Sequence, residues 1–159
     1  MAKNGPGRNS MKDKEKQVKS TEEKVFFDSN ILVYYADESD ARKQKIATAL
    51  IKDAIDSRNG VISTQCLQEF YNVVTKKLLC DKEKAKKMVK MFSENISVAK
   101  ISVPLILSAV DISIKSQFSF WDSLILSAAS DTGCATVYSE DLNDQQIIAG
   151  AKIQNPFAA

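Results

Sequence analysis

Four carboxylates in this 159-residue chain occupy positions where an isolated charge is costly. Asp28 interrupts KVFFDSNILVYY (24–35), between one apolar run and the next. Asp141 follows the apolar ATVY (135–138) through Ser139 and Glu140. Asp122 lies beside Trp121 at the head of the nearly all-apolar FSFWDSLILSAAS, and Glu69 lies within TQCLQEFYNVVTKKL. A buried carboxylate needs a partner. The chain has no histidine. That excludes Ser-His-Asp and Cys-His nucleophilic triads, histidine-bound zinc and the paired-histidine route to RNA cleavage. A set of carboxylates without histidine suits a hard dication such as Mg²⁺, which takes oxygen ligands and substrate phosphate. The corresponding chemistry is metal-dependent phosphodiester hydrolysis, with water activated and positioned for in-line attack.

Singly, each acid has an ordinary role. Asp28 and Asp141 suit turns, and Asp122 suits the positive end of a helix dipole. On a helical wheel started at Trp121, Asp122 falls at about 100°, bordering the stripe of Leu124, Ile125 and Ala128. Glu69 falls opposite the stripe of Leu67, Phe70, Tyr71, Val74 and Leu78, as a solvated residue would. Only the four together favour a site.

The elements that would position them alternate in type. Val25–Phe27 reads as a strand and Asn30–Tyr35 starts a helix. Residues 41–57 carry apolar side chains at helical spacing up to Asn59-Gly60, and 60–64 form a short strand ending in Ser63 and Thr64, which favour helix starts. Helices are expected over 65–79, 81–96, from Pro104 to about Gln117, and over 121–133 before the stop at Gly133. Strands are expected over 135–141 and 151–157. Such alternation implies βαβ units and a parallel sheet. The carboxyl edge of that sheet, where Asp28 and Asp141 stand, is where open α/β sheets bind ligands.

Residues 1–24 carry seven basic and four acidic residues, so of the net charge of +2 the remainder of the chain holds −1. This polar tail is read as disordered and basic, with 1–10 readable as a leader ahead of Met11, and 25–159 as the single domain. Cys66, Cys80 and Cys134 are an odd, widely spaced set that suits a reducing cytoplasm. No apolar run reaches the length of a membrane span.

The ordered set VFFDSNILVYYAD, STQCLQEFYNVV, FWDSLILSAA and VYSEDLND, with a terminal IQNPF, resembles the PIN-domain nucleases. It is most similar to the toxin ribonucleases of VapC-type toxin–antitoxin modules, over residues 25–157. The resemblance implies a three-layer α/β/α fold around a small parallel sheet and an endoribonuclease dependent on Mg²⁺ or Mn²⁺. It makes Asp28 and Asp122 the expected direct metal ligands, with Asp141 and Glu69 completing the site or orienting water. Asn30 and Ser139 would orient carboxylates by hydrogen bonding. Relatives often carry histidine or glycine just after the last acid, where this chain has Asn143-Asp144-Gln145; Asp144 either joins the site or starts the next turn.

The resemblance also implies an RNA substrate, a cognate antitoxin protein lying across the acidic groove, and a homodimer. Helices 65–79 and 81–96 are the expected paired surface. Their lysines Lys76, Lys77, Lys82, Lys84, Lys86, Lys87 and Lys90 either steer RNA or form a solvated face. The alternative is a catalytically silent PIN-like module that binds RNA or protein, against which the intact quartet counts. A phosphatase using Asp28 as nucleophile would want an acid two residues on, where Asn30 stands. Nothing in these acids discriminates a 2′-hydroxyl, so DNA stays open as a substrate.

Overall fold

The computed structural model describes residues 22–159, so the expected tail lies outside the described residues except for Glu22–Lys24, which are exposed and irregular. The architecture is a six-stranded sheet flanked by six helices among the described residues. In chain order these are β1 (Val25–Phe27), α1 (Ser29–Ala36), α2 (Ala41–Ser57), β2 (Gly60–Ser63), α3 (Thr64–Lys76) and α4 (Lys82–Asn95). Then follow β3 (Ser97–Ala99), α5 (Val103–Lys115), α6 (Phe120–Asp131), β4 (Thr136–Tyr138), β5 (Ile147–Ile148) and β6 (Ala151–Gln154). The expected α/β architecture, a small and mostly parallel sheet flanked by helices, is the one observed.

Short polar side chains start the helices. Asp28, Asp40, Ser63, Asp81, Ser102 and Ser119 each accept a backbone N–H of the first turn from the capping position. Ser63 both ends β2 and caps α3, and Asp28, directly after β1, caps α1. For that reason β2 stops at Ser63 rather than Thr64. The strands expected over 135–141 and 151–157 are likewise trimmed to Thr136–Tyr138 and Ala151–Gln154. Strands β3 and β5 were not anticipated: at three and two residues they are too short to show alternation.

The sheet order is β3-β2-β1-β4-β6-β5, parallel throughout except for β5 against β6. The chain winds outward from β1 to β2 and β3, then returns to place β4 on the other side of β1. Right-handed crossovers put α1–α4 on one face and α5–α6 on the other when the winding direction reverses. The reversal opens a crevice above the carboxyl ends of β1 and β4.

Phe26, Phe27, Ile62, Val137 and Ile153 of the strands are fully or almost fully buried. On the α1–α4 face, Phe92 meets Phe70 and Tyr35 edge-on, with ring centroids 5.1 and 5.4 Å apart. Gly60 is tightly fitted: a Cβ there would stand 3.1 Å from that of Ala54, which would have to give way by a few tenths of an ångström. Phe92→Ala should cost about 3–5 kcal/mol of unfolding free energy in urea melts, because it empties the joint between α1, α3 and α4. A loss under about 1 kcal/mol would contradict this packing.

Candidate active site

The crevice is built around Asp28. Its backbone N–H continues the β1–β4 ladder onto the Tyr138 carbonyl at 3.0 Å, and its carboxylate caps α1 by accepting the Ser29 N–H at 2.7 Å. The residue is 6% exposed. Ser139, fully buried just past β4, donates its hydroxyl to the second carboxylate oxygen at 2.8 Å. The same oxygen of Ser139 accepts the backbone N–H groups of Asp141 and Leu142 at 3.2 and 3.3 Å. One serine thus fixes both Asp28 and the turn that carries Asp141.

Asn30 completes the link across the crevice. Its amide donates to Asp141 at 3.1 Å, and its carbonyl oxygen accepts the Glu140 N–H at 3.3 Å. On the other side, the Ser29 hydroxyl donates to Glu69 at 2.6 Å, and Gln65 donates to the other oxygen of Glu69 at 2.8 Å. Asp28, Glu69 and Asp141 therefore share one hydrogen-bonded network. Glu69 is half-buried, because the buried stripe of α3 runs through Gln65, Cys66, Phe70 and Val74, while Tyr71 is 38% exposed. Turning the stripe towards Cys66 brings Glu69 to its border, about 60° away, rather than opposite it.

Asp122 stands apart from this network. It is the third residue of α6, half-buried, and its backbone N–H bonds the Ser119 hydroxyl at 3.1 Å. Among the described residues its carboxylate has no hydrogen-bond partner. The link to the others is indirect: the Gln65 amide that holds Glu69 also donates to the Trp121 carbonyl at 3.2 Å. Asp144 is engaged elsewhere, accepting the Asn155 N–H at 2.8 Å and the Gln145 amide at 3.1 Å. The Asn155 bond in particular holds the Asp144 carboxyl below its ordinary range.

Three residues that matter here went unremarked in the sequence. Gln65 lies one turn before Glu69, a spacing that puts the two side chains together. Ser29 follows the capping Asp28 directly. The third, Lys43, forms an ion pair with Glu140 and stands 3.0 Å from the Tyr34 hydroxyl and 4.5 Å from the centre of its ring. Nothing local in sequence signals a pair 97 residues apart. It braces the segment between Ser139 and Asp141 from the α2 side.

Electrostatics single out Asp28. Burial drives its pKa up to about 6, beyond what the Ser139 and Ser29 hydrogen bonds offset, and the charges of Glu69 and Asp141 push the same way. Lys43, the cation bordering this segment, is taken by Glu140. The donors suit a hard dication: Asp28, Glu69, Asp122 and Asp141 offer carboxylate oxygens. Cys66, buried beneath Asp28 with its thiol pushed up to about 12, offers no thiolate. Among the described residues no three Asp, Glu or Cys side chains stand close enough to share one ion. Hydroxyl and amide groups hold the carboxylates apart.

A raised carboxylate pKa has a definite sign in stability. Between about 3.8 and about 6 the metal-free fold binds more protons at Asp28 than the unfolded chain, so stability falls as pH rises through that window. Above it the full penalty, on the order of 3 kcal/mol, persists. Asp28→Asn should therefore raise the metal-free unfolding free energy at pH 8 by about 1–3 kcal/mol and by clearly less at pH 4. Equal effects at both pH values would contradict the burial of this charge.

Comparison with known proteins bears on the fold. The family model for the PIN domain matches residues 25–150. A search of curated proteins gave no significant match. Among solved structures, VapC20 of Mycobacterium tuberculosis, described as a sarcin–ricin-loop-cleaving toxin, is 18% identical with a TM-score of 0.58, over 74% of this chain and 89% of its own. The DNA-bound VapBC of Salmonella typhimurium is 16% identical with a TM-score of 0.62, over 85% of this chain and 99% of that one. VapBC2 of Rickettsia felis, bound to a promoter DNA fragment, is 18% identical with a TM-score of 0.59, over 82% and 97%. With the match running from β1 through the turn beyond β5, the chain belongs to the PIN-domain family.

Proposed function

We propose that the protein is a Mg²⁺- or Mn²⁺-dependent endoribonuclease, the toxin of a type II toxin–antitoxin module acting in the cytoplasm. The observation that carries this reading is the buried Asp28 carboxylate, held beside Glu69 and Asp141 with no cation paired to it among the described residues. Fold relatives described as VapC20, a toxin, and as VapBC support the nuclease class, and the first, described as cleaving the sarcin–ricin loop, supports RNA as the substrate.

In this reading Asp28 and Asp122 hold the dication, while Glu69 and Asp141 complete the set. When bound, the ion activates water and neutralises charge on the phosphodiester. The chain's own residues do the positioning. Ser139 and Ser29 fix the Asp28 rotamer, Asn30 aims Asp141, and Gln65 ties Glu69 to the first turn of α6. A cation also offsets the burial and the repulsion that raise Asp28, so binding and ionisation reinforce each other.

Partners follow from the same class. An antitoxin segment with a basic side chain would lie across the acidic crevice. We place the homodimer contact on α5 rather than on helices 65–79 and 81–96. Val103, Ile106, Leu107, Val110 and Ile114 form an exposed stripe along α5, with Leu107 61% and Ile114 76% exposed. The opposite side of α5 packs on α6, so the helix is apolar on two sides, one buried and one exposed. The lysine-rich α4 would repel its own copy, whereas the stripe is uncharged and is flanked by one acid and one base, Asp111 and Lys115.

Three outcomes are expected. Asp28→Asn should abolish metal-stimulated RNA cleavage in gel assays while the protein stays folded; undiminished cleavage would refute the assignment. Mn²⁺ should raise the Tm of the wild type by several degrees and that of Asp122→Asn barely; equal shifts would place the ion elsewhere. Leu107→Glu should convert a dimer to a monomer in light scattering at micromolar concentration, and an unchanged mass would remove α5 from the interface.

A further inference from the structure

A second feature of the carboxyl edge is a cleft of about 420 Å³ lined by Lys115, Gln117, Phe118, Asn143, Gln146 and Ile148. Its walls are the α5–α6 loop and the turn after β4, the segments that lead into Asp122 and out of Asp141. Ser119 closes the first by accepting the Asp122 N–H. Asn143 lies two residues past Asp141, within about 8 Å between Cα atoms. That is the scale of the step from one phosphate of a nucleic-acid strand to its neighbouring base.

The chemistry of the cleft differs from that of the acids beside it. It offers an ammonium, carboxamides and an aromatic ring, and no carboxylate. Two of the carboxamides are already paired. Asn143 donates its side-chain amide to the Gln146 carbonyl oxygen at 3.0 Å, and the Gln146 backbone N–H returns to the Asn143 backbone carbonyl at 3.3 Å. This arrangement leaves the Asn143 side-chain oxygen and the Gln146 side-chain nitrogen, one acceptor and one donor, without a protein partner among the described residues. A single asparagine or glutamine reads adenine by accepting from its exocyclic amine and donating to a ring nitrogen; here the free acceptor and the free donor are divided between two side chains. Lys115 supplies charge for a phosphate, and half-buried Phe118 supplies aromatic surface for a base.

We propose that this cleft is a nucleobase subsite of the RNA substrate. It holds the base next to the scissile phosphate and favours adenine through Asn143 and Gln146. The proposal rests on the ribonuclease reading and adds the residues that choose where the strand is cut.

The test separates binding from cleavage. Fluorescein-labelled single-stranded RNAs carrying each base in turn within a uniform uridine context are titrated against Asp28→Asn protein with Mg²⁺ present, and anisotropy is read. Adding Asn143→Ala with Gln146→Ala should weaken the adenine-containing RNA about tenfold and flatten the ranking of the bases. Lys115→Ala should weaken all sequences to a similar extent. All three positions are exposed or solvent-facing, and circular dichroism melts confirm the fold. In the Asp28-containing protein, the same double substitution should lower kcat/KM for adenine-containing substrates and redistribute the cleavage positions. Affinities and base ranking unchanged by the double substitution would overturn the subsite. A wild type that binds these RNAs with the expected ranking but never cleaves them would instead overturn the nuclease reading and leave the subsite standing.

Discussion

One negative charge, placed where the sheet divides, organises this molecule. Asp28 ends the central strand, caps the helix that follows and is almost sealed from water. Its carboxylate accepts from Ser29 and Ser139, yet burial still raises its pKa to about 6, and two further acids nearby push the same way. Neutral donors position the charge without cancelling it. A folded chain that retains such a penalty at neutral pH keeps a standing affinity for a cation. The nearby lysine is no substitute, since Glu140 and the Tyr34 ring hold it on the far side of the turn.

The fold makes this concentration of charge inexpensive to assemble. Winding outward from β1 and then crossing to β4 brings residues 28 and 139 onto neighbouring strand ends, and the same edge receives the first turns of α3 and α6. Acids 94 residues apart in sequence, Asp28 and Asp122, thus come from elements whose starts face one crevice. Helix amino termini there add partial positive charge, which softens the repulsion among the carboxylates before any ion binds. The turn after β4 and the loop before α6 then provide a rim of different chemistry, amide and ammonium, suited to a strand lying across the acids.

Much of this was legible in the residues because the elements are short and sharply punctuated. Asp28 and Ser63 carry two signals at once, strand end and helix cap, and both junctions fall within one residue of where the sequence places them. Strands β3 and β5 were illegible for the converse reason. Three residues such as Ser97–Ala99 are strands only because β2 lies alongside, and Ile147–Ile148 pair only because the chain doubles back onto β6. Glu69 was misplaced on its helix because Tyr71 and Leu67 were counted as core. In the fold, Cys66 and Gln65 take the buried side, and their small or polar character hid the stripe. The Lys43–Glu140 brace joins distant segments and leaves no local trace. The separateness of Asp122 also left no trace in composition, because it follows from the Gln65 amide reaching the Trp121 carbonyl and not the Asp122 carboxylate.

The account turns on whether a dication relieves the buried charge at Asp28, and the ionisation of that one carboxyl is directly measurable. Carbon-detected NMR titration of the Asp28 side-chain carboxyl, without metal and then with saturating Mg²⁺, reads it residue by residue. Without the ion the midpoint should fall at about 6. With Mg²⁺ it should drop below the ordinary aspartate value of about 3.9. A midpoint that stays where it was on adding Mg²⁺, or one that is ordinary from the outset, would contradict the account.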